Sequence, residues 1–160
     1  MASVIGQAIG LSAEELERLT TASLLHDIGK LGVPDLILRK PETLTRDERR
    51  VIEKHSAEGA KILSHVSELA GLAPIVLHHH EWYNGEGYPQ GLKGEAIPLL
   101  SRIITVADSY DTMVTPLPHR QAMTHEDALD ELRRYSGIQF DPDLVEALFE
   151  SASGGIPHTD

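Results

Sequence analysis

At 160 residues and a formal charge of −11, the chain is long enough to bury one hydrophobic core and too acidic to present the cationic surface that polymeric nucleic acid requires. Hydrophobic residues make up 41% but aromatics only 4%, so the core must rest on Leu, Ile, Val and Ala, the usual filling of helical bundles. No apolar run approaches the roughly 20 residues that span a bilayer, no signal peptide is visible at Met1, and the lack of cysteine excludes disulfides and thiolate sites. A cytoplasmic protein without membrane contact is the expectation.

Ser12-Ala13-Glu14-Glu15 has the form of a capping box, and Leu16, Leu19, Ala22 and Leu25 follow at three-residue steps, which predicts a helix ending near Gly29. At its end His26 and Lys30 share a side, with Asp27 turned away by about 100°. A loop around Pro34 and Pro41 leads to a second capping box, Thr45-Arg46-Asp47-Glu48. Behind it a long helix should carry Val51, His55, Gly59, Ile62 and Val66 as one inward stripe. The next helix is expected over residues 67–80, before an irregular loop rich in glycine and proline from Asn84 to Pro98.

Leu99 to Val114 is nearly all apolar, as a central buried helix would be, except for Ser101, Thr105, Asp108 and Thr112 on one face. A carboxylate on such a helix needs a partner, and no cation at helical spacing supplies one to Asp108. Two amphipathic helices, 124–135 after Thr124 and 142–152 with Pro142 at the first position, complete a single domain over residues 1–152. Residues 153–160 read as a frayed tail.

The pairs His26-Asp27 and His79-His80, with His55 and Asp108, offer imidazole and carboxylate donors from separate helices. Donors in this mix suit iron, manganese, zinc or nickel, and a shared aspartate can bridge two ions. Adjacent residues on an ideal helix diverge by about 100°, so His79 and His80 can reach one ion only near a helix end, which the glycine-rich segment after Tyr83 supplies. Because His78 precedes them, any two of the three could serve. His65, His119, His125 and His158 carry no such pattern. Gly87-Tyr88-Pro89 allows close backbone approach and a tyrosine that could stack on a base, whereas Trp82 and Tyr83 fit core packing as readily as stacking.

His-Asp-Ile-Gly-Lys at 26–30, His55, His79-His80-Glu81, Gly87-Tyr88-Pro89 and Ala107-Asp108 together resemble, in order and approximate spacing, the HD-GYP domain, a branch of the HD phosphohydrolase superfamily. The resemblance runs from about Ile9 to Phe149 and takes in Gly91-Leu92-Lys93-Gly94-Glu95 and Gln139-Phe140-Asp141-Pro142. It implies an all-α HD fold, a helical bundle of about six to seven helices with a long loop carrying Gly-Tyr-Pro. It also implies hydrolysis of the bacterial second messenger cyclic di-GMP by two divalent transition metals, iron or manganese first, with nickel, zinc or magnesium as alternatives. Carried over, Asp27 bridges the metals, His26 and Asp108 serve one, and His55, His79 and His80 the other. A bridging carboxylate holds two such cations about 3.5–4 Å apart and lets them activate a water for in-line attack on phosphorus. Lys30 is placed to neutralise a phosphate oxygen and assist the leaving group. Gly87, Tyr88, Pro89 and Arg120 fall at the implied substrate site, and the same loop is the implied contact for a diguanylate cyclase domain.

Two departures from the family pattern bear on activity. The family's further metal ligand upstream of the His-Asp pair would fall before Met1, so either the chain is a fragment or water completes the shell of the His26 and Asp108 metal. Downstream, Pro116-Leu117-Pro118-His119-Arg120 stands for the usual Asp-Arg-Pro-Tyr-Arg, and losing the arginine at Leu117 would cost about 1.5–3 kcal/mol of a charge-assisted hydrogen bond. Asn84 stands where aspartate is common. A weakened domain that binds a cyclic dinucleotide or a cyclase as a signalling element is therefore the alternative.

Overall fold

The computed structural model describes residues 1–116 and 121–153, and among the described residues the regular elements are nine α-helices and three short 3-10 turns. Helix α1 spans Ala2–Ala8 and α2 spans Ala13–Leu25. The capping box at the start of α2 forms as its sequence dictates: Ser12 Oγ accepts from the Glu15 amide at 3.3 Å and the Glu15 carboxylate accepts from the Ser12 amide at 2.9 Å. The box at Thr45 and Glu48 repeats this geometry and opens α4, Arg46–Glu53. Between them lies a short α3, Asp35–Leu38, where the sequence suggested only a loop.

The long helix expected over 45–66 is interrupted at Lys54, so α5 spans His55–Ser64. Its inner face is also rotated from the predicted stripe. His55 and Gly59 are buried as expected, but Ser56, Ala60 and Leu63 join them, while Ile62 and Val66 are each 42% exposed. The helix expected over 67–80 shrinks to a 3-10 turn, Ala70–Leu72, and α6, Ala73–Leu77, with Pro74 in its first turn.

Helix α7, Leu99–Val114, lies at the centre as predicted and touches α1, α2, α6, α8 (His125–Arg134) and α9 (Pro142–Ser153). Its Ile103, Ile104 and Val106 are essentially unexposed and pack with Ile5, Leu19, Val76, Leu132 and Leu148 from those neighbours in one apolar cluster. Each fully buried aliphatic side chain of this kind contributes about 1.5–3 kcal/mol, which is how a core almost devoid of aromatics holds. A buried ion pair from Arg102 to Asp141 ties α7 to the start of α9, where the other Asp141 oxygen accepts from the Asp143 amide at 3.0 Å. No described helix is long and apolar enough to cross a membrane.

Candidate metal centre

Helix α2 stops one turn earlier than its pattern suggests, and that early stop builds the site. The His26 ring turns back to donate from Nδ1 to the Ser23 carbonyl at 2.6 Å, and the chain enters a 3-10 turn, Ile28–Gly32, instead of continuing to Gly29. There Gly29 crosses α5 so closely that a Cβ on it would lie 1.9 Å from the His55 carbonyl oxygen and 2.5 Å from the Gly59 amide nitrogen. Only glycine fits this crossing, and it sets Asp27 against the start of α5.

His55 opens α5, with Nδ1 donating to the Ile52 carbonyl at 2.7 Å. His79 and His80 lie just beyond α6, the helix end that two adjacent ligands need, and His79 donates from Nδ1 to the Val76 carbonyl at 2.6 Å. The polar strip of α7 secures this end. Ser101 donates to the Ile75 carbonyl at 2.8 Å and Thr105 to the His79 carbonyl at 2.7 Å, with Asp108 one turn further along. His78 is not part of the group: it bonds the Pro74 carbonyl and meets the Gln90 side chain at 3.3 Å, which resolves which two of the three histidines face inward.

One ligand atom each from Asp27, His55, His79 and His80 lies within 4.8 Å of all the others. Asp27 faces both sides, with Oδ1 at 3.4 Å from His55 Nε2 and Oδ2 at 3.6 Å from His26 Nε2, while Asp108 Oδ1 stands 3.5 Å from the same His26 nitrogen. His55 Nε2 lies 3.3 Å from His79 Nε2 and 3.2 Å from His80 Nε2. Because the Nδ1 atoms of His26, His55 and His79 donate to backbone carbonyls, their neutral rings present bare Nε2 lone pairs to the centre. Lone pairs facing one another across this distance repel, and His26 Nε2 and Asp27 Oδ1 are buried without a hydrogen-bond partner. Both observations fit divalent cations among these atoms, and imidazole with carboxylate is a donor set for iron, manganese, zinc or nickel.

The electrostatics agree. Burial, reinforced by neighbouring imidazoles, pushes His79 down to about 4 and His80 down to about 2, and burial also lowers His55, so these rings stay neutral and ready to ligate. Burial pulls His26 down too, but the Asp108 carboxylate 3.5 Å from its Nε2, the Ser23 contact and the Asp27 charge outweigh that and raise it. For Asp108, burial works upward, yet the His26 contact holds it below the usual carboxylate value. Lys30 comes from the 3-10 turn and places Nζ 2.5 Å from Asp27 Oδ2.

The Gly-Tyr-Pro segment folds onto this centre. The Tyr88 ring stacks on His80 with centroids 4.9 Å apart and planes 28° from parallel, and the Tyr88 amide donates to the His80 carbonyl at 3.1 Å. Gly87 passes so close to the backbone that a Cβ would lie 2.2 Å from the Trp82 nitrogen. Pro89 is exposed at the rim. Sequence reasoning left Glu81 without a role: it is 1% exposed, and its carboxylate accepts from the Gln90 amide at 2.7 Å and the Leu92 amide at 3.1 Å, clasping the loop. Asn84 bonds the Glu86 amide through Oδ1 at 2.9 Å, a turn that aspartate would make equally. Trp82 and Tyr83 are partly buried, and the Tyr83 amide joins the Gln139 carbonyl at 3.1 Å. The structure thus brings together His26, Asp27, Lys30, His55, His79, His80, Tyr88 and Asp108, whereas Leu117 and Arg120 lie outside the described residues.

An all-helical domain that gathers such a histidine and aspartate group beneath a glycine-rich loop has known counterparts. A family model described as the HD domain matches residues 1–144. The cyclic di-GMP phosphodiesterase response regulator RpfG of Xanthomonas campestris pv. campestris is 43% identical over 150 residues, covering 92% of this chain and 40% of that protein. A cyclic di-GMP phosphodiesterase of Thermotoga maritima is 40% identical over 148 residues, covering 91% and 40%. Among solved structures, a cyclic GMP-AMP specific phosphodiesterase of Vibrio cholerae superposes with a TM-score of 0.74 at 26% identity, over 95% of this chain and 42% of that one. The chain therefore belongs to the HD domain family. It spans 40% of the length of these two curated relatives.

Proposed function

We propose that residues 1–152 form a metal-dependent cyclic di-GMP phosphodiesterase domain. The observation that carries this reading is the two-sided placement of Asp27, one oxygen toward His55 and the other toward His26. In it Asp27 with His26 and Asp108 would hold one cation, and Asp27 with His55, His79 and His80 would hold another. When bound, such cations supply a hydroxide at neutral pH and neutralise charge on the phosphoryl oxygens. The chain's own groups do the rest. The backbone carbonyls of Ser23, Ile52 and Val76 hold three imidazoles in the ligating tautomer. Lys30 brings an ammonium to the Asp27 edge, where it can meet a phosphate oxygen and give a proton to the departing ribose oxygen. Tyr88 closes one side of the centre through its stack on His80 and offers a surface for a base. Gly87 and Pro89 frame that surface, with Arg120 as a further contact to the phosphates. The exposed crest at Pro89–Gly91 is the surface we assign to a diguanylate cyclase partner.

The test is to load the chain with iron or manganese, measure bound metal, and separate products from cyclic di-GMP and from cyclic GMP-AMP. A linear dinucleotide or GMP from cyclic di-GMP is expected. Metal bound at full occupancy with no product from cyclic di-GMP overturns the enzyme reading, and cyclic di-GMP binding without turnover in calorimetry would put a binding element in its place.

A further inference from the structure

Ser101, Thr105 and Asp108 share one face of α7, and of the three only Asp108 belongs to the donors of the metal centre. Both hydroxyl-bearing residues are buried, and each reaches a carbonyl of the segment that ends α6: Ser101 donates to Ile75 at 2.8 Å and Thr105 to His79 at 2.7 Å. The two carbonyls do different things. That of Ile75 is the acceptor the His79 amide would use if α6 ran on, so Ser101 meets the helix where it stops. That of His79 belongs to the peptide unit joining His79 to His80. Because the unit is planar, holding its carbonyl restrains ψ of His79 and φ of His80 together, and with them the angle between the two rings.

That angle matters here more than at most peptide bonds. The rings of His79 and His80 bring Nε2 to 3.3 Å and 3.2 Å from His55 Nε2, and two adjacent residues can share one cation only over a narrow range of relative orientation. Each ring has its own hold, His79 through Nδ1 on the Val76 carbonyl and His80 through its stack on Tyr88. The plane between them is held by Thr105. This hydroxyl has one proton and two carbonyls in reach, His79 at 2.7 Å and Ser101 at 2.9 Å. The Ser101 carbonyl, four residues back, is the acceptor that threonine uses in any helix. The shorter contact is the one across the interface, and it ties the helix that bears Asp108 to the segment that bears His79 and His80.

We propose that Thr105 is a positioning residue of the metal centre, whose hydroxyl sets the plane of the 79–80 peptide so that His79 and His80 face one cation. It touches neither cation nor substrate and acts through His79. The inference rests on the metal reading of the centre and is independent of which phosphodiester is cleaved.

The deciding experiment titrates cobalt(II) into the metal-free chain and follows its visible absorption bands, which report the number and arrangement of ligands. It is repeated with T105V, T105A and T105S, in the native background and in H26A, which leaves the His55, His79 and His80 side to hold the cation. T105V keeps the side-chain shape and removes the donor. It should weaken this cation about tenfold, the scale on which groups that orient ligating histidines act, and change the bands. T105S returns the hydroxyl and should restore both affinity and spectrum. If T105V fails to fold, judged by near-ultraviolet circular dichroism, T105A decides in its place, since it removes the donor without turning a methyl toward the carbonyl. Affinity and bands unchanged on loss of the hydroxyl overturn the proposal, even if the melting temperature falls, because Thr105 then supports only the fold. T105S as weak as T105V also overturns it, by making packing rather than the hydroxyl the cause. A native chain that takes up no cobalt overturns the metal reading, and the positioning role with it.

Discussion

Asp27 divides the centre into two unlike halves. On one side His55 and His79 are each 1% exposed, and both rings are fixed by backbone carbonyls. On the other, the His26 and Asp108 side chains are 19% and 35% exposed and border a cavity of about 260 Å³ that reaches α1 through Met1, Ala2 and Ser3. The closed half is preorganised: its ordering entropy and the desolvation of its nitrogens are met by folding, so a cation entering it meets neutral donors already in place. The open half exchanges with solvent more freely and keeps His26 and Asp108 paired when no cation separates them. Binding strength and reactivity should accordingly be divided between the halves.

The largest effect should come from the residue that belongs to both. Asp27→Ala removes the shared carboxylate, and we expect metal content by elemental analysis to fall to background and turnover to vanish. Retention of one full equivalent would show that the closed half holds its cation without Asp27. Next come the single-sided changes. His55→Ala empties a fully buried position and should destabilise the chain by about 2 kcal/mol or more as well as removing one equivalent of metal. His26→Ala removes a ring that solvent already reaches and should cost about 1 kcal/mol while releasing the other equivalent. Equal losses of stability in urea titrations would refute the contrast between the halves.

Acidification separates the halves in a third way. His79 near 4 and His80 near 2 are neutral in the fold, whereas in the unfolded chain imidazole titrates near 6.5. Below 6.5 the unfolded chain therefore takes up protons that the closed half refuses, and stability is lost as pH falls toward 4. His26 runs the opposite way: its raised pKa adds stability below 6.5 that is lost as pH rises through its folded value, which partly offsets the others. With three rings lowered and one raised, the metal-free chain should melt about 5 °C or more lower at pH 5 than at pH 7. A melting temperature that holds or rises would mean that the open half dominates.

How far the sequence reveals this depends on the range over which each feature is encoded. The capping boxes at Ser12 and Thr45 and the apolar run of α7 are local, and each yields its helix. The donors are legible because their residue types and order are specific. The interruption at Lys54 and the outward turn of Ile62 and Val66 are not, because the seam of α5 is set by what crosses it, the Gly29 turn on one side and α6 on the other. The three short segments α1, α3 and α6 are similarly opaque, since helices of one or two turns owe their stability to tertiary packing more than to their own sequence. Which two of His78, His79 and His80 face the centre depends in the same way on where α6 ends.

The smallest expected effect concerns Glu81, and it tests whether the loop over the closed half is as preorganised as the ligands beneath. Nothing local in the sequence marks Glu81 for this role. Its amide partners, Gln90 and Leu92, lie nine and eleven residues further on, a distance at which no helical or strand periodicity links them. Glu81→Gln preserves the volume but offers one acceptor where two are used, and replaces the other by a donor facing an amide. The penalty for such a buried mismatch is about 1–3 kcal/mol, and here it falls on the loop rather than on the core. Trp82, the chain's single tryptophan, adjoins Glu81, and its backbone nitrogen lies against Gly87, so its fluorescence is a probe of the loop's root. In E81Q acrylamide should quench Trp82 more strongly, and KM for cyclic di-GMP should rise several-fold, while metal content and global melting change little. Unaltered quenching with a raised KM would mean that Glu81 acts on the substrate directly, and a drop in metal content would make it part of the ligand set.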